Sequence, residues 1–465
     1  MKAAVLLAAA VSAVRASART IVETSAAPPG PGGAAQGIVD GRGHLTTSLQ
    51  YGIDPKTLEL VKGGAAAETD QAMSNMAAVF AAAGMDLNGE AVSCWLYGLE
   101  AETWGNISDA YDTHFPTNGV NQHPSRSPTG AGLWHSEAQI AVTCKGFPGG
   151  GAPIIVPDFF TSDFNAQARI LDDSNWLVTS AQLGIEPLTG DLVNGGAEAE
   201  MEQVMANLAL VFDTAYPDSS NGTSNAALQA HAAECQVRVR GGAPICSSAP
   251  PLPRRCPPHL SRQVMMLNDA DTQKTLWPAV AAAWGSFFNG TGGFGVPAVA
   301  FTGFAPGALP LPASVAASCI GVGKQARRQL RSGQGIMYRT TDSEGRTHRQ
   351  LHASAQTGSN LAQVFAKTAA IFAAAYPGQL FPRGGRDPAP PLLAAAATQC
   401  EVWLSDSEAN HTEALTVLGE LFGGPMPPLT VSTASLAGAD QVSLQCFGSV
   451  TAFDRERTSA TAYQQ

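Results

Sequence analysis

One short segment occurs three times along this chain of 465 residues, and the repetition constrains the fold more than any other feature of the sequence. Residues 47–64 and 179–196 read TSLQYGIDPKTLELVKGG and TSAQLGIEPLTGDLVNGG, and Ser354-Ala355-Gln356 begins a third, shorter copy. Each copy is followed by an Ala-rich amphipathic stretch, a Cys-bearing strand, a second helical stretch and a closing Cys-bearing strand. A repeat of about 150 residues is much longer than the roughly 20 to 50 residues of solenoid repeats. The sequence therefore predicts three whole domains.

Helical and strand patterns alternate within each repeat. In the first repeat they predict a helix at 68–83 that ends at Gly84, and a second helix at about 104–115. Helices at fixed places among strands that partly form hairpins indicate an α+β domain with both helices on one sheet face. Three such domains can bury their uncovered faces against each other, which predicts a monomer with pseudo-threefold symmetry. The predicted division is 1–18, 19–150, 151–325 and 326–465.

The first 18 residues have the pattern of a secretory signal peptide. Met1-Lys2 precedes an apolar run without acidic residues, and Ala16-Ser17-Ala18 has the small residues that signal peptidase cleaves. No later segment reaches the roughly 18 uninterrupted apolar residues of a membrane span. We expect a mature protein that enters the secretory route without a membrane anchor. Its destination stays open between the medium, the cell surface and an organelle on that route.

Charge and sequons agree with that expectation. Cleavage after Ala18 removes Lys2 and Arg15 and leaves 25 basic against 38 acidic residues, a net charge of −13. This excess repels phosphate backbones and anionic lipids, so we expect no nucleic-acid partner and no membrane partner. In a secreted protein, Asn-x-Ser/Thr sequons accept glycans. The predicted acceptors are Asn106, Asn221, Asn289 and Asn410.

Six of the eight cysteines occupy equivalent places in the repeats. One cysteine of each repeat lies on the strand after the first helix, and one lies on the last strand. If those strands are neighbours, each domain closes one disulfide, as expected in an oxidising compartment. The predicted bridges are Cys94–Cys144, Cys235–Cys319 and Cys400–Cys446.

The other two cysteines, Cys246 and Cys256, lie in a Pro- and Arg-rich insert at 237–263 that interrupts the second repeat. Removing these 27 residues restores the alignment with the other two repeats. Two explanations fit the pattern: a loop, closed by its own disulfide, or an intron retained in the gene model.

The first repeat resembles the Rid/YjgF imine deaminase family. The resemblance rests on TSLQYGIDPKTL, QAMSNMAAVFAAAG, DAYDTHFP and HPSRSP, and it extends over most of the second repeat and the second half of the third. It implies a chorismate-mutase-like fold, trimers around a central barrel with pockets between protomers, and cofactor-free hydrolysis of 2-imino acids to 2-oxo acids. A chain with three copies then corresponds to such a trimer made covalent.

Arg126, in Pro124-Ser125-Arg126-Ser127, matches the family arginine that holds the substrate carboxylate. A guanidinium suits this role because it pairs with a carboxylate through two parallel hydrogen bonds. Glu137 is the candidate general acid or water-positioning group, and its alternative is a solvated carboxylate. Ser48 is a candidate ligand contact near Arg126, and its alternative is a local bond to the backbone.

Other nearby residues carry no recognised metal or triad pattern. His114, His123 and His135 follow no His-x-x-x-His spacing, and no Cys-x-x-Cys pair occurs, so no metal site or Ser-His-acid triad is predicted. At the position of the arginine, the second and third repeats carry Val299 and Leu429, which cannot pair with a carboxylate.

The sequence leaves two functions open. The first repeat departs from the family pattern at Ala34, Leu49, Ser108 and Pro128. One hypothesis is an imine deaminase with a single working cleft that binds a small carboxylate. The alternative is a catalytically inactive protein that binds a small carboxylate metabolite or a protein partner.

Overall fold

The fold is described from a computed structural model. It covers residues 19–98, 103–115, 123–130, 132–133, 135, 137–157, 159, 166–171, 176–219, 225–240, 270–288, 298–304, 313–323, 327–329, 334–341, 346–376, 392–405, 411–423, 425–433, 436 and 441–453. The predicted signal peptide, three of the sequon asparagines (Asn221, Asn289 and Asn410) and residues 241–263 of the predicted insert lie outside this part of the chain.

The described residues form three β-sheets, and each sheet carries helices from its own third of the chain. Sheet 1 and its helices comprise β1 (Thr20–Val22), β2 (Gly37–Val39), β3 (Leu45–Thr47), β4 (Gln50–Tyr51), α1 (Gly64–Ala82), α2 (Leu87–Glu90), β5 (Ala91–Gly98), α3 (Trp104–Asp112), β6 (Ser125–Gly130) and β8 (Ile140–Gly146). The short strand β7 (Gly132–Leu133) lies between β6 and β8 in the chain and belongs to sheet 3. Sheet 2 and its helices comprise β9 (Ala152–Ile154), β10 (Ala168–Leu171), β11 (Trp176–Thr179), β12 (Gln182–Leu183), α4 (Gly196–Ala215), α5 (Ala226–His231), β13 (Ala232–Arg240), α6 (Ala270–Phe288), β14 (Ala298–Phe304) and β15 (Val315–Val322). Sheet 3 and its helices comprise β16 (Arg327–Gln329), β17 (Gly335–Thr341), β18 (Arg346–Ala353), β19 (Gln356–Gly358), α7 (Leu361–Ala375), α8 (Leu392–Ala396), β20 (Ala397–Leu404), α9 (His411–Phe422), β21 (Leu429–Thr433) and β22 (Val442–Phe453).

The strand order is the same in the three sheets. Sheet 1 runs β1-β2-β3-β8-β5-β6, sheet 2 runs β9-β10-β11-β15-β13-β14 and sheet 3 runs β16-β17-β18-β22-β20-β21. The last pair of each series is parallel, because a helix lies between its two strands in the chain. β7 is the exception, since it follows a strand of sheet 1 in the chain and pairs antiparallel with β21 of sheet 3.

Two glycine features explain part of the repeated segment. Gly63 and Gly64 have φ values of 126° and 75°, in the left-handed region, and start α1 four residues before the predicted position. Gly52 lies against α1 so closely that a Cβ there would be 2.5 Å from the Cα of Glu68. The second repeat has the same features at its own glycines, so these positions are fixed by backbone packing.

Three disulfides join neighbouring strands in the described part of the chain. They are Cys94–Cys144, Cys235–Cys319 and Cys400–Cys446, the same pairs that the aligned strands predict. In each pair the cysteines lie directly opposite each other and belong to the core between sheet and helices. The residues before and after each cysteine therefore point to the other sheet face.

Those other faces meet in the centre of the molecule. One central cluster contains Trp95 of sheet 1, Val178 of sheet 2 and Trp403 of sheet 3, and a second central cluster also draws on all three sheets. The mutual burial of sheet faces follows the prediction from sequence. The inner faces of the three sheets, called the central barrel below, carry the charged side chains of Lys145, Glu234, Arg238 and Glu401, of which Lys145 is half-buried and the others are buried.

The described part of β13 extends into the predicted insert. Residues 237–240 complete this strand, and Val237 is fully buried opposite Ala317 of β15. Val237 occupies the register position of Leu96 in β5 and Val402 in β20, two residues after the disulfide cysteine. The start of the insert thus serves as sheet core.

Candidate functional site

Arg126 lies on the edge strand β6 of sheet 1, with its side chain directed towards α3. It pairs with Cys94 in the parallel β5–β6 ladder, and this register places it on the helix face of the sheet. About one sixth of the side chain, 17%, is exposed. The guanidinium is therefore held by protein on one side and accessible on another.

Three residues of α3 position the guanidinium. Arg126 Nη1 donates a hydrogen bond to Ser108 Oγ at 3.3 Å and lies 3.8 Å from Asp112 Oδ1. The guanidinium carbon lies 5.6 Å from the ring centroid of Tyr111, a cation–π contact. Burial raises the pKa of the Tyr111 phenol, whose neighbour Arg126 opposes the shift, so the phenol is neutral at physiological pH.

A histidine completes this cluster. His123 Nδ1 lies 3.5 Å from Asp112 Oδ1, and the histidine is almost entirely buried. The Asp112 carboxylate thus lies between an arginine and a histidine. The Tyr111 hydroxyl is buried and has no hydrogen-bond partner among the described residues. The cluster provides a partly exposed cation, which suits a small anionic ligand.

Sheet 2 holds the backbone of Arg126 at this place. The Arg126 N–H donates to Ser180 Oγ at 3.0 Å, and the Ala181 N–H donates to the Arg126 carbonyl at 3.0 Å. Ser180 belongs to the second copy of the repeated segment. Arg126 therefore lies at the junction of sheets 1 and 2.

The structure does not bring Ser48 and Arg126 together. Ser48 Oγ donates to the Ala35 carbonyl at 2.7 Å and accepts the Leu429 N–H at 2.9 Å, and its side chain is fully buried. The expectation of a ligand contact from Ser48 near Arg126 is corrected accordingly. Ser48 lies at the junction of sheets 3 and 1, because it contacts the edge strand β21 in the same way as Ser180 contacts the edge strand β6.

Glu137 is exposed, between β7 and β8. No hydrogen bond or ion pair joins it to Arg126 in the described residues. A different carboxylate, Glu68 of α1, is buried and accepts the Gln139 N–H at 2.6 Å. Burial raises the pKa of Glu68, and backbone hydrogen bonds from Gln139 and Ile140 oppose the increase. Glu68 anchors the start of β8, as Glu200 of α4 does for β15.

The remaining sequence candidates lie apart from one another. His114 contacts Asp70 at 3.0 Å, and His135 lies near the ring of Tyr51. Within the described residues, no three His, Cys, Asp or Glu side chains are grouped closely enough to hold a metal ion. Asn106 is exposed on α3, within one turn of Ser108. In the same part of the chain, no helix has the length and hydrophobicity to cross a bilayer.

Sequence reasoning missed Asp112 and the partner role of Ser180. Asp112 follows Tyr111 in DAYDTHFP, a motif that had been used only for the family resemblance. Ser180 is one of the three repeated serines, and its recurrence was the available signal. Its contact with Arg126 depends on how sheets 1 and 2 pack against each other, and the sequence does not show that packing.

Comparisons with known proteins identify the family. The family model described as "Endoribonuclease L-PSP" matches residues 24–144. The chain is 32% identical over 100 residues to the 2-iminobutanoate/2-iminopropanoate deaminase of Rattus norvegicus, covering 22% of this chain and 72% of the relative. It is 29% identical over 103 residues to the protein DfrA of Myxococcus xanthus, a match that covers 22% of this chain and 78% of that protein. The solved structure of RidA from the Antarctic bacterium Psychrobacter sp. matches with a TM-score of 0.25 and 22% identity. This match covers 28% of the present chain and 99% of the RidA chain. From the match to the rat deaminase, the chain belongs to the Rid/YjgF family, through its first domain.

Proposed function

We propose that the chain consists of three tandem Rid-like domains, at 19–150, 151–325 and 326–465, that form an intramolecular pseudotrimer. The common strand order, the equivalent disulfides and the repeated serine contacts support this arrangement. The sheets cover each other's inner faces, so the proposal includes a monomer in solution. It also includes the signal peptide at 1–18 and entry into the secretory route.

We propose further that the site at Arg126 binds a small carboxylate and hydrolyses 2-imino acids. The observation that carries this proposal is a partly exposed guanidinium, held by α3 beside Tyr111 at the junction of two sheets. The rat relative is named as a 2-iminobutanoate/2-iminopropanoate deaminase. The proposed reaction adds water to the C=N carbon and releases ammonia, leaving a 2-oxo acid.

In this reaction the role of Arg126 is to position the substrate. Its guanidinium pairs with the carboxylate next to the imine carbon and fixes that carbon for attack by water. The Tyr111 hydroxyl lacks a partner among the described residues but is fully buried, so we assign it no contact with the substrate. Glu137 remains a candidate for positioning water.

The equivalent junction of sheets 3 and 1 is chemically different. Leu429 donates its N–H to Ser48 as Arg126 does to Ser180, so Leu429 stands at the position of the arginine, and it is fully buried. An apolar side chain cannot neutralise a carboxylate there. The proposed activity therefore belongs to the junction of sheets 1 and 2.

The second candidate function is a catalytically inactive protein that binds a carboxylate metabolite or a protein partner. It is favoured by Asp112, whose carboxylate lies 3.8 Å from Arg126 Nη1 and competes with an anionic ligand for the guanidinium. Binding without turnover is the expected behaviour of this alternative.

Ammonia release from freshly generated 2-iminobutanoate tests the proposal. We expect the wild-type protein to accelerate release, and Arg126→Ala to lower the rate by about 100-fold, because a charged pairing partner is lost. Arg126→Lys keeps the charge without the paired donors and is expected to lie between the two. Arg339→Ala, at an exposed arginine of β17, is the control and should match wild type. A wild-type protein that does not exceed buffer would exclude the deaminase and leave the binding protein.

A further inference from the structure

A cavity lies where the three sheets meet, with residues of each sheet in its wall. Its volume is about 60 Å³. By the same measure a single water needs about 10 to 15 Å³, so the cavity has room for about four waters or one molecule of a few heavy atoms. Its walls come from all three sheets. Those relevant to ligand binding are Lys145, Trp176, His352, Gln399, Phe447 and Ser449.

Lys145 provides a cation that the fold does not require. It follows Cys144 in β8, and the equivalent positions after Cys319 and Cys446 hold Ile320 and Phe447. Its ammonium nitrogen lies 4.9 Å from the ring centroid of Trp95 and 5.0 Å from that of Phe447. The two apolar counterparts show that this place in the barrel can be filled without a charge.

Apart from these two ring contacts, the ammonium group of Lys145 has no ion-pair or hydrogen-bond partner in the described part of the chain, where no carboxylate oxygen lies within 4 Å of it and no group accepts its hydrogen bonds. Burial lowers the pKa of Lys145, and Glu234 and Glu401 act at longer range in the opposite direction. Lys145 is half-buried, and an ammonium that borders a cavity without a protein acceptor can be stabilised by a bound acceptor.

The nearby acids already have partners. Asp40, in the cavity wall, accepts the backbone N–H groups of Arg42 and His44 and lies 3.4 Å from Gln350 Nε2. Glu234 Oε2 lies 2.7 Å from His352 Nδ1. These carboxylates are turned to other groups, which leaves Lys145 as the cation at the cavity with no carboxylate in contact.

Three further polar atoms in the cavity wall are buried without a partner in the described residues. They are Trp176 Nε1, Gln399 Oε1 and Ser449 Oγ. Together with the ammonium, the residues of the cavity wall contain an indole N–H, a hydroxyl and an amide oxygen without protein partners. The wall therefore offers more hydrogen-bond donors than acceptors. Such a wall is complementary to a ligand that is rich in acceptor oxygens.

We propose that this cavity is a binding site for a small monocarboxylate of the size of formate or acetate, whose oxygens accept hydrogen bonds from Lys145, Trp176 and Ser449. The cavity is separate from the site at Arg126, since its walls share no residue with the cluster on α3 and β6. The three sheets all contribute to it, so occupancy links them.

Titration of the full chain with ¹³C-labelled formate, followed by NMR, tests the proposal. The Arg126→Ala background removes carboxylate binding at the other site. We expect one formate per chain in this background, and binding at least about tenfold weaker after Lys145→Ile is added. The isoleucine reproduces Ile320 of the second repeat, so the double variant should fold. Equal binding by both proteins, or none by Arg126→Ala, would overturn the proposal.

Two additional measurements examine the chemistry of the site. Trp176→Phe keeps the ring and removes the N–H, and we expect it to weaken formate binding in the same background. Formamide has the size of formate without the charge, and pivalate has the charge with a larger volume. Both should bind at least about tenfold more weakly than formate. Binding of formamide equal to that of formate would show that the ammonium does not select the ligand, and would refute an anion site.

Discussion

At the scale of single residues, Asp112 controls how available Arg126 is to a ligand. Its carboxylate lies 3.8 Å from Arg126 Nη1 and 3.5 Å from His123 Nδ1. We expect Asp112→Asn to strengthen binding of 2-oxobutanoate, the product of the proposed reaction, by about two- to fivefold, since partly exposed ion pairs contribute up to about 1 kcal/mol. Calorimetric titration measures the change. Asp70→Asn, at an exposed acid beside His114, is the control and should bind as wild type. Weaker binding by Asp112→Asn would mean that Asp112 instead holds Arg126 in place.

Glu401 gives the barrel a pH dependence. Burial raises its pKa to about 7, Glu234 adds to the increase, and Lys145, Arg238 and Gln236 oppose it. Because the folded-state pKa lies above the unfolded one, the folded state binds the proton more tightly, and stability falls as pH rises from about 4.5 to about 7.

Glu401→Gln removes this dependence. We expect the variant to resemble wild type at pH 5 and to be more stable at pH 8, by on the order of 3 kcal/mol, at about 1.36 kcal/mol per pKa unit. Urea unfolding at the two pH values measures the difference. A stability difference that is the same at pH 5 and pH 8 would show that Glu401 is ionised throughout.

At the scale of elements, each disulfide joins the strand after the first helix to the closing strand. Cys235 and Cys319 are 84 residues apart, a longer separation than in the other two pairs. The loop-closure model gives a stabilisation of about 4 kcal/mol for such a loop. We expect Cys235→Ala/Cys319→Ala to lose about that much free energy of unfolding in urea under non-reducing conditions. Unchanged stability would mean that the chain's unfolded state is constrained by other means.

The sequence predicts the helices and strands within one repeat, but it does not predict which parts of different repeats contact each other. The amphipathic pattern at 68–83 and the equivalent cysteines predicted α1 and the bonded strands, because periodicity and register are properties of one repeat. The partner of Ser48 lies 381 residues away, and it is decided by the order of the units around the barrel. Glu234 and Glu401, beside cysteines, have the appearance of surface residues in a strand, although both are buried among three sheets. Alternation along a strand assigns its residues to two sheet faces, but it does not show which of the two faces packs against another repeat.

At the scale of the whole molecule, the described junctions have a direction. The serine of sheet 2 contacts the edge strand of sheet 1, and the serine of sheet 1 contacts the edge strand of sheet 3. β7 adds a second connection between sheets 1 and 3. The last third of the chain is thereby fastened to the first, although they are far apart in the sequence.

The charged residues of the barrel differ between the three repeats, and this difference affects how substitutions can change the interior of the protein. Three identical subunits around an axis must repeat every substitution three times, so a lysine at the axis would face two copies of itself. In a single chain, Lys145, Glu234 and Glu401 each occur once, and the two acids act on the lysine from beyond contact distance. One mutation then alters one wall of the interior, and the centre of the molecule can acquire a chemistry that no exact threefold assembly of identical chains can build.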